Sequence, residues 1–104
     1  MVSKYGFIDK SGKVVIEPQF DYVEPFSEGF ARVKKDGKYY FLDKNGKVVI
    51  EPQFDARDFS EGLAGVKKDG KWGFIDKNGK VVIEPQFDNA GNFSEGLASF
   101  GIES

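Results

Sequence analysis

The chain repeats itself, and an internal repeat constrains a fold more than any single motif. Segment 5–21 returns at 39–55 and again at 72–88, at offsets of 34 and 33 residues. Segments 5–21 and 72–88 agree at 15 of 17 positions, and 39–55 agrees with 72–88 at 14 of 17. Such a period marks supersecondary units that are each too small to bury their own apolar face and therefore stack on their neighbours. The second half of the unit recurs as Phe26-Ser27-Glu28-Gly29-Phe30-Ala31, Phe59-Ser60-Glu61-Gly62-Leu63-Ala64 and Phe93-Ser94-Glu95-Gly96-Leu97-Ala98. The one-residue difference in period falls in the linker before these motifs, where a loop tolerates deletion. The 104 residues read as one domain, with units at approximately 1–29, 30–62 and 63–96 and a terminal strand, 97–104, completing the first unit.

Turn chemistry makes the unit an antiparallel meander. Asp36-Gly37, Asp69-Gly70, Asn45-Gly46 and Asn78-Gly79, with Ser11-Gly12 as a weaker version, sit between apolar runs. Two-residue hairpin loops need positive φ at both central positions, which these residues tolerate best. Strands are expected at 63–68, 71–77 and 80–84, with copies at 30–35, 38–44 and 47–51, and at 97–101, 4–10 and 13–17. Pro18, Pro52 and Pro85 should end the last strand of each unit, because proline cannot donate to the ladder. The linker from Gln53 to Glu61 should be held down by Phe54 and Phe59.

Two-residue loops would place Lys67 opposite Trp72, Phe74 opposite Ile83 and Ile75 opposite Val82. Leu63, Trp72, Phe74, Val81 and Ile83 then share one face, and Ala64, Val66, Ile75 and Val82 the other. With both faces apolar, each sheet should be packed between neighbours. The expected fold is all-β: three tandem repeats of about 33 residues, each a three-stranded antiparallel meander. They should stack as a propeller-like ring or a β-superhelix, with the last strand pairing towards the first.

Composition removes most familiar chemistry. There is no Cys and no His, so thiolate and imidazole metal sites, disulfides, a Cys nucleophile and a Ser-His-Asp triad are excluded. With 15 basic and 17 acidic residues the net charge is −2, which gives no global field towards nucleic acid or an anionic membrane, and neither is an expected partner. The N-terminal Met1-Val2-Ser3-Lys4-Tyr5 runs straight into strand-like sequence without a signal peptide or a spanning segment, as expected of a soluble chain.

The run Lys71-Trp72-Gly73-Phe74-Ile75-Asp76-Lys77-Asn78-Gly79-Lys80, followed by Glu84-Pro85-Gln86-Phe87-Asp88 and by Phe93-Ser94-Glu95-Gly96-Leu97-Ala98, resembles the WG (KWG) repeat family of bacterial proteins. The resemblance covers nearly the whole chain, in three tandem copies. The Trp-Gly pair survives only at Trp72-Gly73, with Tyr5-Gly6 in the first unit and Tyr39-Tyr40 in the second. The resemblance implies a β-repeat interaction module without a catalytic residue set. The near-identity of the copies suits recent duplication or consensus engineering.

Candidate sites divide between structure and chemistry. Asp76-Lys77-Asn78-Gly79-Lys80 is similar to the start of a calcium loop, but its Gly is fourth and Val and Ile follow, so a plain hairpin turn is the better reading, and no metal or other cofactor is expected. Glu17, Glu51 and Glu84, with Asp21, Asp55 and Asp88 four residues on, would form rings of carboxylates in a symmetric stack. Catalysis needs a pair in unlike environments, so their repetition points to a fold role rather than a hydrolase. All 13 lysines lie in or beside turns, where they keep edges soluble. Tyr5, Tyr39 and Trp72 occupy one equivalent position, with Lys34 and Lys67 facing the latter two. They are the candidate ligand surface, either packed under lysine stems or open as a sugar-stacking platform.

Function is accordingly expected to be that of a non-catalytic scaffold for protein interaction or self-assembly, with carbohydrate binding as the alternative. The terminal units keep the apolar positions of the middle one, Phe7 and Ile8 at the start and Leu97, Ala98 and Phe100 at the end. Natural solenoids normally carry polar caps there. Pairing of 97–101 with 4–10 of another copy is therefore expected over closure within one chain, giving a head-to-tail homo-oligomer.

Overall fold

The computed structural model describes residues 3–53 and 55–103; the first two residues, Phe54 and Ser104 lie outside it, as do the side chains of residues 51–53. The described residues form eleven strands and no helix, so no helix is long and apolar enough to cross a membrane. Strand β1 (Tyr5–Ile8) pairs with β2 (Val14–Phe20). A second sheet runs in the order β3 (Tyr22–Val23), β4 (Ala31–Lys35), β5 (Lys38–Leu42), β6 (Val48–Gln53). A third contains β7 (Ala64–Lys68), β8 (Lys71–Ile75) and β9 (Val81–Phe87), and the last pairs β10 (Asn89–Ala90) with β11 (Phe100–Gly101).

The expected meander is present, and the linker adds a short strand to it. Ala56 bridges Val66, and the Arg57 N–H donates to the Gly65 carbonyl at 2.9 Å, so this segment lies beside β7 as β3 lies beside β4. Each repeat therefore ends by handing the chain to the next sheet, and the corner falls at Asp21, Asp55 and Asp88. At two of those corners the aspartate ties down the turn. Asp21 accepts from Lys4 Nζ at 2.5 Å and from the Asp36 N–H at 3.2 Å, and Asp88 accepts from Lys71 Nζ and from the Glu103 N–H. The lysine hydrogen bond, and then the backbone N–H, hold each carboxyl below the usual carboxylate range.

Of the hairpin turns expected from the sequence, only the Asp-Gly turns have the two-residue geometry. Asp36-Gly37 and Asp69-Gly70 have positive φ at both central residues, and Lys67 lies opposite Trp72 as expected. In the Asn-Gly and Ser-Gly turns only the glycine has positive φ. There the loop is longer: the Asp76 N–H donates to the Lys80 carbonyl and the Gly79 N–H to the Asp76 carbonyl. Asp76 Oδ1 accepts from the Asn78 and Lys80 N–H groups, which employs as a turn clamp the oxygen that a calcium loop would have turned inward. The extra loop residue shifts the register, and Ile75 lies opposite Val81 rather than Val82. Phe74 still faces Ile83, so a bulge at Val82 absorbs the difference. Val81 and Val82 are consequently both exposed, which corrects the reading that two wholly apolar faces are buried.

Nor does proline end the strands. Strands β2 and β9 run through Pro18 and Pro85, because each proline sits in a wide bulge where no ladder donor is needed. Tyr5 faces Phe20 and Phe7 faces Ile16, so Glu17, Pro18 and Gln19 all stand opposite Gly6.

Three apolar cores lie between successive sheets. The first gathers Ile16, Phe20, Val33 and Leu42; the second Phe41, Ile50, Ala56, Phe59, Ala64, Val66 and Ile75; the third Trp72, Phe74 and Ala90. The result is an open array of 49 × 31 × 19 Å. Among the described residues the last strand does not close on the first: β11 pairs with β10 and β1 with β2, and the outer edges of β1 and β11 carry no partner strand.

Candidate functional site

The equivalent aromatics fall in three different environments. Trp72 is 6% exposed, packed against the bare backbone of Gly65 and covered by the Arg57 guanidinium 4.6 Å from its ring centre. Tyr39 is half-buried, with Arg32 at 4.9 Å and Lys34 at 5.4 Å over its ring. Tyr5, at 47% exposure, is the open one of the three. Lys34 thus does cover Tyr39, but the cation over Trp72 is Arg57 and not the exposed Lys67. Guanidinium is the better ring-stacker, being planar and weakly hydrated, so the two arginines in a lysine-rich chain were the signal available in the sequence.

Arg32 also stitches neighbouring units together. Its Nη2 lies 3.1 Å from Glu24 Oε1, its Nε 3.4 Å from Asp58 Oδ1, and its Nη1 donates to the Ala56 carbonyl. Tyr22 donates its hydroxyl to the same Glu24 oxygen at 2.5 Å. That hydrogen bond, with Arg32 behind it, holds the Glu24 carboxyl low, while burial pushes Asp58 up. The cluster joins successive repeats, with Arg32 Nε held to Asp58 by charge rather than by a hydrogen bond.

A second device had no counterpart in the expectations. The Ser-Glu-Gly motifs, where each linker meets the next strand, are tight two-residue hairpins. Ser27 and Phe30 exchange both N–H···O bonds, as do Ser60 with Leu63 and Ser94 with Leu97, and Glu28, Glu61 and Glu95 take positive φ. Each turn then caps the next. Glu28 accepts from the Glu61 N–H at 2.7 Å and the Gly62 N–H at 2.9 Å, and Glu61 accepts from the Gly96 N–H at 2.8 Å. Ser60 Oγ also donates to the Phe93 carbonyl at 2.6 Å. The sequence signal was a Glu-Gly pair flanked by Ser and an apolar residue, recurring with the repeat.

The Gly62 and Glu61 N–H groups hold the Glu28 carboxyl below its ordinary range. A folded-state pKa below the unfolded value stabilises at pH above the unfolded value, and the contribution is lost as pH falls through the folded one. Thermal melts should accordingly show stability falling as pH drops below about 4, the ordinary Glu range. Glu28→Gln should lower the neutral-pH melting temperature slightly and flatten that acid limb. An unchanged limb would mean that the turn ladder carries no stability.

At the array ends, Phe7 and Ala98 are half-buried, whereas Ile8, Leu97 and Phe100 are 68%, 78% and 63% exposed. Glu17 and Glu84 are exposed at strand bulges. Among the described residues no group of acidic side chains is placed to hold a metal ion.

No curated protein and no solved structure matches the chain. The family described as WG containing repeat matches it three times in tandem, over residues 5–39, 41–72 and 72–103. Those matches span the three repeats and the strand after them, and the chain belongs to the WG-repeat family.

Proposed function

We propose that this chain is a non-catalytic β-repeat scaffold that works by binding protein, another copy of itself included. The observation that carries the reading is the pair of array ends, where unpaired strand edges coincide with exposed Ile8, Leu97 and Phe100. Apolar surface beside an open edge is what strand addition by a protein partner uses. The charged clusters favour no enzyme, because their members bind one another and the backbone. The carbohydrate alternative needs an open aromatic face, and Trp72 lies beneath Arg57. Calorimetric titration with cello- and chito-oligosaccharides should give no heat, and Trp72 fluorescence should stay constant. A saturable heat that disappears in Tyr5→Ala would overturn the scaffold reading in favour of a sugar site.

A further inference from the structure

The junction between successive units occurs twice inside the chain, and its two halves stand unmatched at opposite ends. An apolar groove of about 590 Å³ is lined in the first unit by Phe7, Ile8, Val15, Ile16 and Phe26, with Lys44 at its rim. In the next two units the corresponding space is filled. Phe30 lies 5.3 Å from Phe59, ring centre to ring centre, and Leu63 packs in the core that contains Phe93. The residue that would fill the groove over Phe26 is therefore the equivalent of Phe30 and Leu63, which is Leu97.

Four other features have the same polarity. Leu42 and Ile75 are buried in cores with Ile16 and Ile50 of the preceding unit, whereas their equivalent Ile8 is exposed and Ile83, the equivalent of Ile16 and Ile50, is only half-buried. Val33 and Val66 are buried, whereas their equivalent Phe100 is exposed. Glu28 and Glu61 each cap the following turn, whereas among the described residues Glu95 meets no donor and the Glu28 and Gly29 N–H groups meet no acceptor. Lys77 Nζ stands 3.6 Å from the Glu28 carboxylate, and the equivalent lysine for Glu95 would be the Lys44 at the groove rim.

We propose that this surface takes a second copy of the chain, joined head to tail through the same junction; the inference rests on the scaffold reading above. The outer edge of β11 in one copy pairs antiparallel with β1 of the next in the register of β4 with β5, where Ala31 faces Leu42 and Lys34 faces Tyr39. That register sets Ala98 opposite Ile8 and Gly101 opposite Tyr5. Leu97 enters the groove over Phe26, Ile83 covers Ile8, and the Glu95 carboxylate caps the Glu28 and Gly29 N–H groups beside Lys44. The contact is heterologous, so copies add until the rotation closes a ring, and otherwise form a filament.

Sedimentation velocity on the 104-residue chain tests this. Its mass should rise with concentration up to about 1 mM, where even a millimolar Kd is visible. Ile8→Glu blocks the head and Leu97→Glu the tail. Both side chains are exposed, so circular dichroism should show folded protein, and each variant alone should stay monomeric. Mixed, they should form a 1:1 dimer through the one intact head and the one intact tail, and nothing larger. Glu95→Gln should weaken assembly about tenfold, the loss expected when hydrogen bonds to a charged acceptor weaken. If the chain assembles but the mixed variants do not pair, or each variant assembles alone, the junction is wrong and the scaffold reading stands. If the unmodified chain stays monomeric throughout, the second copy is not the partner. A sugar-dependent heat in the oligosaccharide titration is the outcome that removes the scaffold reading itself.

Discussion

Phe59→Ala is expected to destabilise the protein by about 3–5 kcal/mol, the range for emptying a well-packed aromatic site. Phe59 is buried at 4% exposure, and the edge-on contact with Phe41 at 4.9 Å is joined by Phe30 from the preceding turn at 5.3 Å. It closes the core between the second and third sheets, so the cavity would be lined by Ile50, Val66 and Ile75 from both. Collapse around it is hindered, because strand pairing and the Arg57-to-Gly65 backbone bond hold the linker in place. Phe26 and Phe93 make the same edge-on contact, with Phe7 and Phe74, each at 4.9 Å, but are only half-buried. Phe26→Ala should cost visibly less than Phe59→Ala, since none of the described residues covers Phe26 as Phe30 covers Phe59. Urea unfolding of the two variants gives the comparison, and equal midpoints would show that the linker phenylalanines are surface anchors rather than core.

Gly73→Ala should cost about 1–3 kcal/mol by overpacking, a large effect for one methyl group. A Cβ at Gly73 would meet the Ile83 carbonyl oxygen at 2.5 Å and the Pro85 nitrogen at 2.7 Å, and one at Gly6 would meet the Ile16 carbonyl oxygen at 2.2 Å. These are backbone atoms of the proline bulge, which cannot swing aside as a side-chain tip can. The second unit shows what accommodation requires. Tyr40 stands at the glycine position there, and the bulge is one residue shorter, with Tyr39 opposite Gln53 and Phe41 opposite Ile50. In the first and third units the partner of the aromatic residue is Phe20 or Phe87. Gly73→Ala should drive the third unit towards the shorter register, pulling Phe87 out of line with Trp72. Thermal melts and amide hydrogen exchange across 83–87 would register the change; a melting temperature equal to the parent's would mean that the bulge yields freely. The glycine of the Trp-Gly pair is thus explained by close approach of two backbones rather than by any chemistry of the pair.

The repeat period, the antiparallel pairing, the Asp-Gly hairpins and the Lys34-to-Tyr39 and Lys67-to-Trp72 registers follow from the sequence alone. Each depends on residues within one turn of each other, where allowed φ and the alternation of a strand leave few choices. The Asn-Gly turns are one residue longer than the sequence leads one to expect, because Asn tolerates both turn geometries. What decides between them is the aspartate clamp of Asp9, Asp43 and Asp76, for the Ser11-Gly12 turn takes the same form with nothing packed near Gly12. Proline was legible as a ladder-breaker, but the strands continue through it in a bulge whose width follows the facing residue, three residues opposite Gly6 and Gly73 and two opposite Tyr40. The Glu-to-turn ladder joins residues 33 to 35 positions apart, and the Arg32 cluster and the Arg57 cover over Trp72 depend on how one sheet sits on the next. Near-identical repeats also hide position in the array. Ile8, Leu42 and Ile75 are almost interchangeable in sequence, yet one is exposed and two are buried. The difference lies in whether a preceding sheet covers them, a property of the stack that no local pattern of residues encodes.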